Sequence, residues 1–332
     1  MPKTILVTGG AGFVGSNLIE QLVKDPNNRV YSLDNYSTGS KDNHIADATY
    51  IEGDTQDIAR LLGENTTPKP ILTEAVHLSH SETNAQGLAK LHVFASHLRK
   101  EGKKEAIKPE LIFHLGEYAR VEKSFEDMEQ VWRSNKDGTF AVLEFARATG
   151  AKLVYAGSST KFGDGGLGRN QSPYAWTKAS NTELVQNYGT WFGLSYAITY
   201  FYNVYGPREI SSGGFATVIG IFKKRRKEGK SLSVVTPGTQ TRIFTHVDDI
   251  VKGLLLVGER GVGDGYGLGA KEEYSILDIA KMLGGDIEML PERAGNRMTS
   301  SLDLSRSEGE LGWRAEKSIK KHIEEFVVSL GK

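Results

Sequence analysis

The sequence contains no cysteine among its 332 residues. Disulfide bonds, a thiol nucleophile, an iron–sulfur cluster and a cysteine zinc site are therefore excluded, and the composition suits a reducing compartment. The first ten residues, MPKTILVTGG, also lack the charged region, the apolar region and the cleavage site of a signal peptide. We therefore expect a cytoplasmic protein.

The sequence also lacks an excess of either charge and any long apolar run. Lys and Arg together number 41, as do Asp and Glu, so the electrostatic footprint of a general nucleic-acid binder is missing. The basic run at residues 223–227 is read as a solvated helix face rather than a nucleic-acid site. No stretch approaches the roughly 18 apolar residues that span a bilayer. We expect a small-molecule ligand, with no nucleic acid and no membrane as partner.

Short runs rich in Val, Ile and Leu alternate with stretches of helical periodicity through the first part of the chain. Strands that are apolar throughout are buried on both faces, as in a parallel sheet covered by helices. This alternation predicts an α/β fold with a doubly wound parallel sheet of the Rossmann type. The runs that predict strands cover residues 4–8, 30–33, 111–115, 153–156 and 197–201.

Two changes of pattern predict the domain organisation. Glycine-rich connections begin near residue 203, so we expect residues 1–202 to form the sheet domain and residues 203–332 mainly a smaller α/β domain. Residues from about 65 to 109 exceed what a βαβ crossover needs and predict an insertion. A metal site in this insertion is weighed against a surface helical insertion, which is favoured because no His-Glu-x-x-His pattern is present. Its histidines are His77, His80, His92 and His97.

A glycine loop follows the first predicted strand directly. Its glycines permit a tight turn and a close approach of the backbone to a pyrophosphate, and the next helix directs unpaired N–H groups at phosphates. Asp34 ends the second strand 19 residues after the loop, where an acid binds the ribose 2′-hydroxyl and repels a 2′-phosphate. We therefore predict NAD as the cofactor and residues 1–202 as its domain. The predicted contacts here are Gly9, Gly12, Phe13, Val14, Gly15, Asp34 and Asn35.

Asp54 follows the third predicted strand and has two interpretations. Its carboxylate is a candidate contact to the adenine edge of the cofactor, and it is equally placed to cap the helix that begins before Ile58.

A tyrosine, a lysine and a serine form the candidate catalytic set. Ser172-Pro173 predicts a helix start, and the i, i+4 spacing places Tyr174 and Lys178 on one face of that helix. An ammonium beside a phenol favours the phenolate, which a general base requires. Ser158 follows a predicted strand at its carboxyl end, where ligands of open α/β sheets bind, so its hydroxyl is a candidate partner of the reacting oxygen.

These motifs together resemble the short-chain dehydrogenase/reductase superfamily. More narrowly, the sequence resembles its extended branch, the NAD-dependent nucleotide-sugar epimerases and dehydratases, from residue 4 to about residue 313. The matching stretches are residues 8–15, 33–35, 113–115, 134–139, 172–178, 203–208, 240–249 and 311–313.

The resemblance implies a role for each candidate residue. Tyr174 is the general base, Lys178 binds the nicotinamide ribose, and Ser158 binds the sugar hydroxyl. A UDP-linked sugar is the implied substrate, a homodimer is the implied assembly, and no metal is expected. Further implied contacts are Leu115 and Asn135 to the cofactor, and Ser159, Asn203, Arg242 and Arg293 to the substrate, the two arginines forming a clamp on its diphosphate.

The chemistry expected from the resemblance is epimerisation. Related dehydratases and decarboxylases carry an acid two residues after the serine, where this sequence has Thr160. Oxidation to a 4-keto sugar followed by hydride return needs no such acid. Ser300, seven residues after Arg293, matches the position that borders the sugar C2 substituent and leaves room for an N-acetyl group. We therefore expect a UDP-hexose or UDP-N-acetylhexosamine 4-epimerase.

Alternatives follow from nearby residues and from departures from the family pattern. A UDP-hexuronate 4-epimerase stays open because Arg297 and Thr299 lie near the substrate position, as does a dehydratase or reductase of the same fold. A non-catalytic NAD sensor is disfavoured because the tyrosine and the lysine are both present. The departures are Glu117, where the family has a small residue, Lys161 in place of an apolar residue, and Ala119 in place of a cofactor-binding lysine.

Overall fold

A computed structural model describes residues 3–63, 106–158, 168–292 and 302–331. Most of the predicted insertion lies outside these residues, as do its four histidines. The strands are β1 (Lys3–Thr8), β2 (Asn28–Asp34), β3 (Ala48–Glu52), β4 (Leu111–His114), β5 (Lys152–Ala156), β6 (Tyr196–Phe201), β7 (Val204–Tyr205), β8 (Leu232–Val235), β9 (Thr241–Ile243), β10 (Thr245–His246), β11 (Gly263–Leu268), β12 (Glu273–Ser275) and β13 (Ile287–Leu290).

Seven strands form the central sheet, in the order β11-β6-β5-β4-β1-β2-β3. Every neighbouring pair in this sheet is parallel, which confirms the predicted doubly wound sheet. The order reverses between β1 and β4, and the carboxyl ends of these strands enclose the crevice in which ligands of such sheets bind.

Helices cover both faces of the sheet. The α-helices are α1 (Phe13–Leu22), α2 (Ile58–Leu62), α3 (Met128–Val131), α4 (Gly138–Thr149), α5 (Pro173–Phe192), α6 (Val218–Lys227), α7 (Val247–Arg260), α8 (Ile276–Leu283), α9 (Ser305–Leu311) and α10 (Ile319–Leu330). A π-helix, Trp132–Asp137, joins α3 to α4, and 3₁₀ turns occupy Lys41–Asn43, Thr55–Asp57 and Glu122–Phe125.

Alternate residues of β1 face opposite layers of the core. Ile5 and Val7 pack with α1 and α7, whereas Leu6 packs with α4 and α5. All three residues are almost fully buried, as expected for a strand covered on both faces. The continuous apolar run that predicts this strand therefore reflects two separate core layers.

The chain after residue 203 builds smaller sheets and then rejoins the main one. β7 pairs with β10 and β8 with β13, both parallel, while β9 and β12 are antiparallel. α6, α8 and α10 enclose a third core around Phe222, Leu232 and Ile323. α7 and β11 then return to the main sheet. The division at residue 203 stays a prediction, since residues on both sides of it contribute to one sheet.

Three further expectations concern the basic run, membrane-spanning helices and metal sites. The basic run at residues 223–227 lies in the last turns of α6, where the helix dipole favours cations. Across the described ranges, none of the helices is long and apolar enough to cross a membrane. The same ranges contain no group of three or more His, Cys, Asp or Glu side chains arranged to hold a metal.

The described residues on either side of the predicted insertion lie close together. The backbone N–H of Ile107 donates to the carbonyl oxygen of Leu62 at 2.9 Å, and the N–H of Glu110 donates to Thr4 at 2.9 Å. The end of α2 and the approach to β4 are thus already joined by main-chain hydrogen bonds. The sheet order β4-β1-β2-β3 is complete among the described residues.

Replacing residues 64–105 with a short Gly/Ser linker is therefore expected to leave the fold and NAD binding intact. The ends to be joined are adjacent, so the linker closes a small gap at little entropic cost. Circular dichroism and NAD titration of the shortened protein check this. Loss of folding, or a large loss of NAD affinity, would show that the replaced segment contributes to the core or to the site.

Candidate active site

The glycine loop is folded so that its close contacts leave no room for side chains. Gly9 has φ +72°, and a Cβ there would lie 2.9 Å from the backbone of Gly116 at the end of β4. A Cβ on Gly15 would overlap the carbonyl oxygen of Gly9. Glycine is therefore required where β1 turns into α1. The loop presents the amino end of α1 to the cavity beside it.

Asp34 lies at the other side of this loop, at the end of β2. Its Oδ2 accepts from the backbone N–H of Ala11 and its Oδ1 from that of Tyr36, both at 2.8 Å. Burial raises the pKa of Asp34, although these N–H groups oppose the shift. The carboxylate is thus tied to the glycine loop, and Asn35 beside it also lines the cavity.

Asp54 does not make the capping contact weighed for it, and its contact to the adenine edge stays a prediction. It precedes the 3₁₀ turn at Thr55–Asp57, but its side chain makes no capping hydrogen bond. Its carboxylate instead accepts from the Asn35 side-chain amide at 2.6 Å. Its neighbours Gly53 and Thr55 line the cavity, so Asp54 holds the Asn35 side chain beside the cavity.

The catalytic candidates come together at the carboxyl ends of β4 and β5. Ser172 caps α5 by accepting from the N–H of Ala175 at 3.0 Å, as the sequence predicts. The Tyr174 hydroxyl donates to the Ser158 hydroxyl at 3.2 Å. Lys178 lies one turn further along α5, and all three predicted catalytic residues line one cavity.

Lys178 is paired with an acid that the family pattern does not predict. Its ammonium forms an ion pair with the Glu117 carboxylate and donates to the carbonyl oxygen of Ala156. The two side chains are only 6% and 4% exposed, so this is the most buried ion pair among the described residues. The ammonium also lies 4.6 Å from the centre of the Tyr155 ring.

Glu117 accepts from further donors on three neighbouring elements. Its Oε1 accepts from the Thr139 hydroxyl at 2.6 Å, the Asn181 amide at 2.8 Å and the Tyr155 hydroxyl at 3.2 Å. Burial alone would raise the pKa of Glu117, but the Lys178 charge and these hydrogen bonds hold it below its ordinary value. The carboxylate is therefore ionised and fully engaged.

A chain of hydrogen bonds connects this carboxylate to the glycine loop. Because a carboxylate only accepts, Thr139 donates to Glu117 and accepts from Nε2 of His114 at 3.0 Å. Nδ1 of His114 then accepts from the Thr8 hydroxyl at 2.7 Å, and Thr8 accepts from the N–H of Gly116 at 3.1 Å. Burial lowers the pKa of His114 to about 4, which keeps it neutral.

Two buried asparagines brace the same region. Asn135 accepts from the N–H of Tyr118 at 2.8 Å and donates to Thr177 at 3.0 Å, with no exposure to solvent. Asn181 is oriented by Lys136, which donates to its Oδ1 at 2.8 Å. The structure therefore places Asn135 behind the cavity, while its neighbour Ser134 lines it.

The cavity continues from the cofactor loop into the second part of the chain and has a volume of about 770 Å³. Asn203 lines it and donates to the carbonyl oxygen of Ile243 at 3.0 Å, while Arg242 donates to that of Thr241 at 2.7 Å. Leu115, Phe13 and Val14 also line it, as predicted. Ser159, Arg293 and Ser300 lie outside the described residues.

Arg120 is a cavity residue that sequence reasoning missed. Its guanidinium donates to the backbone carbonyls of Phe215 and Ala216 and interacts electrostatically with Tyr174. Among the described residues, no carboxylate lies within ion-pair distance of it. The signal available in the sequence was an arginine three residues after Glu117, within a stretch that follows a buried strand end.

Comparison with known proteins identifies the family. The family model described as "NAD dependent epimerase/dehydratase family" matches residues 5–92 and 73–269. The chain belongs to this family. Over 98% of its length it is 26% identical to UDP-glucuronic acid decarboxylase 6 of Arabidopsis thaliana, covering 90% of that protein. Over 97% it is 27% identical to the UDP-glucose 4-epimerase of Mycolicibacterium smegmatis, covering 96% of it.

A solved structure shows the same fold. The UDP-glucose 4-epimerase of Thermotoga maritima with UDP-glucose matches with a TM-score of 0.78 and 24% identity, covering 98% of this chain and 97% of that one. This likeness confirms the predicted Rossmann fold, and the family match confirms the predicted NAD-dependent epimerase/dehydratase family.

NAD is the cofactor of this family, and the residues of this enzyme fit it. The glycine loop leaves the backbone bare beside the amino end of α1, which suits a pyrophosphate. Asp34 lies beside that loop as a hydrogen-bond acceptor, and the same cavity reaches Tyr174 and Lys178. A dinucleotide that begins at Asp34 thus has its second end beside the catalytic candidates.

The neutral His114 makes stability depend on pH. Its pKa falls from 6.5 in the unfolded chain to about 4 in the fold, so the unfolded chain binds the proton first as pH falls. This stabilisation is present above about pH 6.5 and declines as pH approaches about 4. From about pH 7 to about pH 5, it accounts for a loss of about 2 kcal/mol in the free energy of unfolding.

Urea denaturation of the wild type and of His114→Gln at both pH values checks this expectation. The variant is less stable at neutral pH, but its loss of stability on acidification is smaller by about 2 kcal/mol. His322, whose pKa burial also lowers to about 4, contributes the same sign in both proteins and cancels. An identical pH dependence in the two proteins would refute the assignment of a neutral His114.

Proposed function

We propose that the enzyme is a nucleotide-sugar 4-epimerase that acts on UDP-linked hexoses or N-acetylhexosamines. The observation that carries this proposal is the Tyr174 hydroxyl 3.2 Å from the Ser158 hydroxyl, inside the cavity that also contains the glycine loop. A sugar hydroxyl placed against both side chains meets a general base and a hydrogen-bond partner at once. The homodimer and the cytoplasmic location belong to the same proposal.

The chemistry follows from these positions. Bound NAD supplies a hydride acceptor beside the sugar. Tyr174 takes the proton of the C4 hydroxyl while Ser158 holds the oxygen, and the sugar becomes a 4-keto sugar. After the sugar turns in the cavity, Tyr174 returns the proton to the keto oxygen as the hydride returns to the opposite face. No external reductant is consumed.

Epimerisation is favoured over dehydration or decarboxylation by the lack of a spare acid. Thr160 stands where related dehydratases and decarboxylases have one. Glu117 does not replace that acid, because its carboxylate already accepts from Lys178, Thr139, Asn181 and Tyr155. The similarity to both epimerases and a decarboxylase makes this distinction the main one to test.

One observation favours UDP-hexuronate as a second candidate substrate. Arg120 interacts electrostatically with Tyr174 and with Glu122, and it forms no ion pair with a carboxylate of the described residues. The sugar carboxylate of a hexuronate lies two carbons from C4 and suits a guanidinium there. An Arg120→Met variant is the residue change that separates the two substrates.

Tyr174→Phe is expected to lower epimerase turnover by about 10² to 10⁴, because it removes the proton acceptor. NAD binding is retained, and the wild type accumulates no NADH during turnover. The measurement is product formation from UDP-sugars, with absorbance in the reduced-nicotinamide band. Tyr196→Phe, at the amino end of β6 and outside the cavity lining, serves as the control and keeps its activity. More than about a tenth of wild-type turnover in Tyr174→Phe would remove Tyr174 from this role.

Substrate choice is tested at Ser300 and Arg120. Ser300→Tyr is expected to depress turnover of the UDP-N-acetylhexosamine by about ten- to a hundredfold relative to the UDP-hexose, because the ring fills the space of the N-acetyl group. Ser301→Tyr adds the same bulk one residue away and controls for it. Equal losses for both sugars contradict the assignment of Ser300. A selective loss of UDP-hexuronate turnover in Arg120→Met supports the second candidate instead.

A further inference from the structure

The buried pair of Glu117 and Lys178 has a charge balance that matters for any ligand beside it. The Lys178 ammonium has three N–H donors and donates to Glu117 and to the Ala156 carbonyl oxygen. The pair as a whole is neutral, and its side chains are almost inaccessible to water. In such surroundings charges interact more strongly than in water. Removing either partner therefore leaves one uncompensated charge at this end of the cavity.

The nicotinamide ring has to lie near this pair if the proposed function holds. A hydride acceptor must face the carbon whose hydroxyl Tyr174 deprotonates, and Lys178 lies one helical turn from Tyr174. Glu117 follows β4 directly, and it lines the same cavity as Ser158 and Tyr174. The Glu117 carboxylate thus lies at the end of the cavity where, under the proposed function, the nicotinamide ring is reduced and reoxidised.

The two states of the cofactor differ there by one charge. The oxidised nicotinamide ring is a cation, and the reduced ring is neutral. A nearby carboxylate stabilises the cation, whereas a nearby ammonium without a partner destabilises it. An enzyme that must return its hydride to the sugar benefits from a site that does not over-stabilise the reduced ring.

We propose that Glu117 is a positioning residue that balances the charge of Lys178 and thereby keeps the bound cofactor biased towards its oxidised state. During oxidation, a hydride leaves the sugar carbon for NAD⁺ and the hydroxyl proton goes to Tyr174; both return in the second half of the reaction. Glu117 transfers neither the hydride nor the proton. It favours the return step and so shortens the life of the keto sugar in the cavity.

The hydrogen bonds of Glu117 show how the fold maintains this charge. A buried carboxylate is costly unless it is paired and bonded. Thr139, Asn181 and Tyr155 supply the donors that Lys178 alone does not. A second, partly buried pair, Glu209 with Lys223 at 3.2 Å, joins α6 to the loop after β7. Glu209 is absent from the described lining of the cavity, which makes this pair a matched control.

The test measures cofactor preference without any sugar. Each protein is exchanged to equilibrium with an equimolar mixture of NAD⁺ and NADH, and absorbance in the reduced-nicotinamide band gives the bound ratio of NADH to NAD⁺. Glu117→Gln is expected to raise this ratio by about tenfold, and Lys178→Met to lower it by about tenfold. The double variant, which is again neutral, returns to within about threefold of the wild type. Glu209→Gln leaves the ratio unchanged.

The double variant keeps the test decisive if Glu117→Gln fails to fold. Going from Lys178→Met to the double variant removes only the carboxylate, so the ratio must rise by about tenfold in that step as well. Equal ratios in all variants, or shifts of the same sign in both single variants, would overturn the proposal and leave Glu117 a purely structural residue. Since no sugar is present, a failed epimerase assay and a failed charge balance are seen separately.

Discussion

The candidate active site is organised around the buried carboxylate of Glu117, which requires a cation and hydrogen-bond donors beside it. Breaking a buried ion pair by removing one partner typically costs about 3–5 kcal/mol, because the remaining charge is stranded. Glu117 can therefore stand at the end of β4 only if α4, α5 and β5 each supply a donor, which Thr139, Asn181 and Tyr155 do. The Glu117 carboxylate thus bonds to residues of all three elements and to Lys178.

The same requirement reaches the cofactor loop. The donors and acceptors from Glu117 through His114 to Thr8 have a single consistent direction, because each group in turn can only donate where its neighbour accepts. Thr8 is the last residue of β1, and Gly9 after it packs so closely on Gly116 that neither carries a side chain. The loop that suits a pyrophosphate and the Glu117 carboxylate are thus connected by hydrogen bonds at the carboxyl ends of β1 and β4.

The sequence predicts structure well where residues that are close along the chain determine one strand or one helix. The apolar runs predict the parallel strands, and Ser172 and Pro173 predict the start of α5. The i, i+4 spacing predicts that Tyr174 and Lys178 lie on one face of that helix, and both line one cavity. The hydrogen-bond network was not predictable in this way. Glu117 was noticed as a departure, but its compensation by Asn181, 64 residues further along the chain, depends on tertiary packing.

Asn135 and Arg120 also make contacts that the sequence does not reveal. The resemblance predicts a cofactor contact for Asn135, which stays a prediction, whereas its bonds to Tyr118 and Thr177 are visible only in the structure. Arg120 carries no motif, and only the fold brings its charge towards Tyr174. Periodicity and spacing report neighbours along one element, whereas these contacts join elements that are distant in sequence.

The proposed epimerisation depends on one tyrosine that removes and returns a proton and on one retained cofactor that removes and returns the same hydride. A UDP-hexose labelled with deuterium at C4 of the sugar tests it most directly, with the products examined by mass spectrometry and NMR. The account predicts that the epimerised sugar keeps its deuterium at C4, with none in the water and none in NAD added to the solution. Loss of the label to solvent would contradict the account, because it would require proton abstraction at carbon rather than hydride transfer.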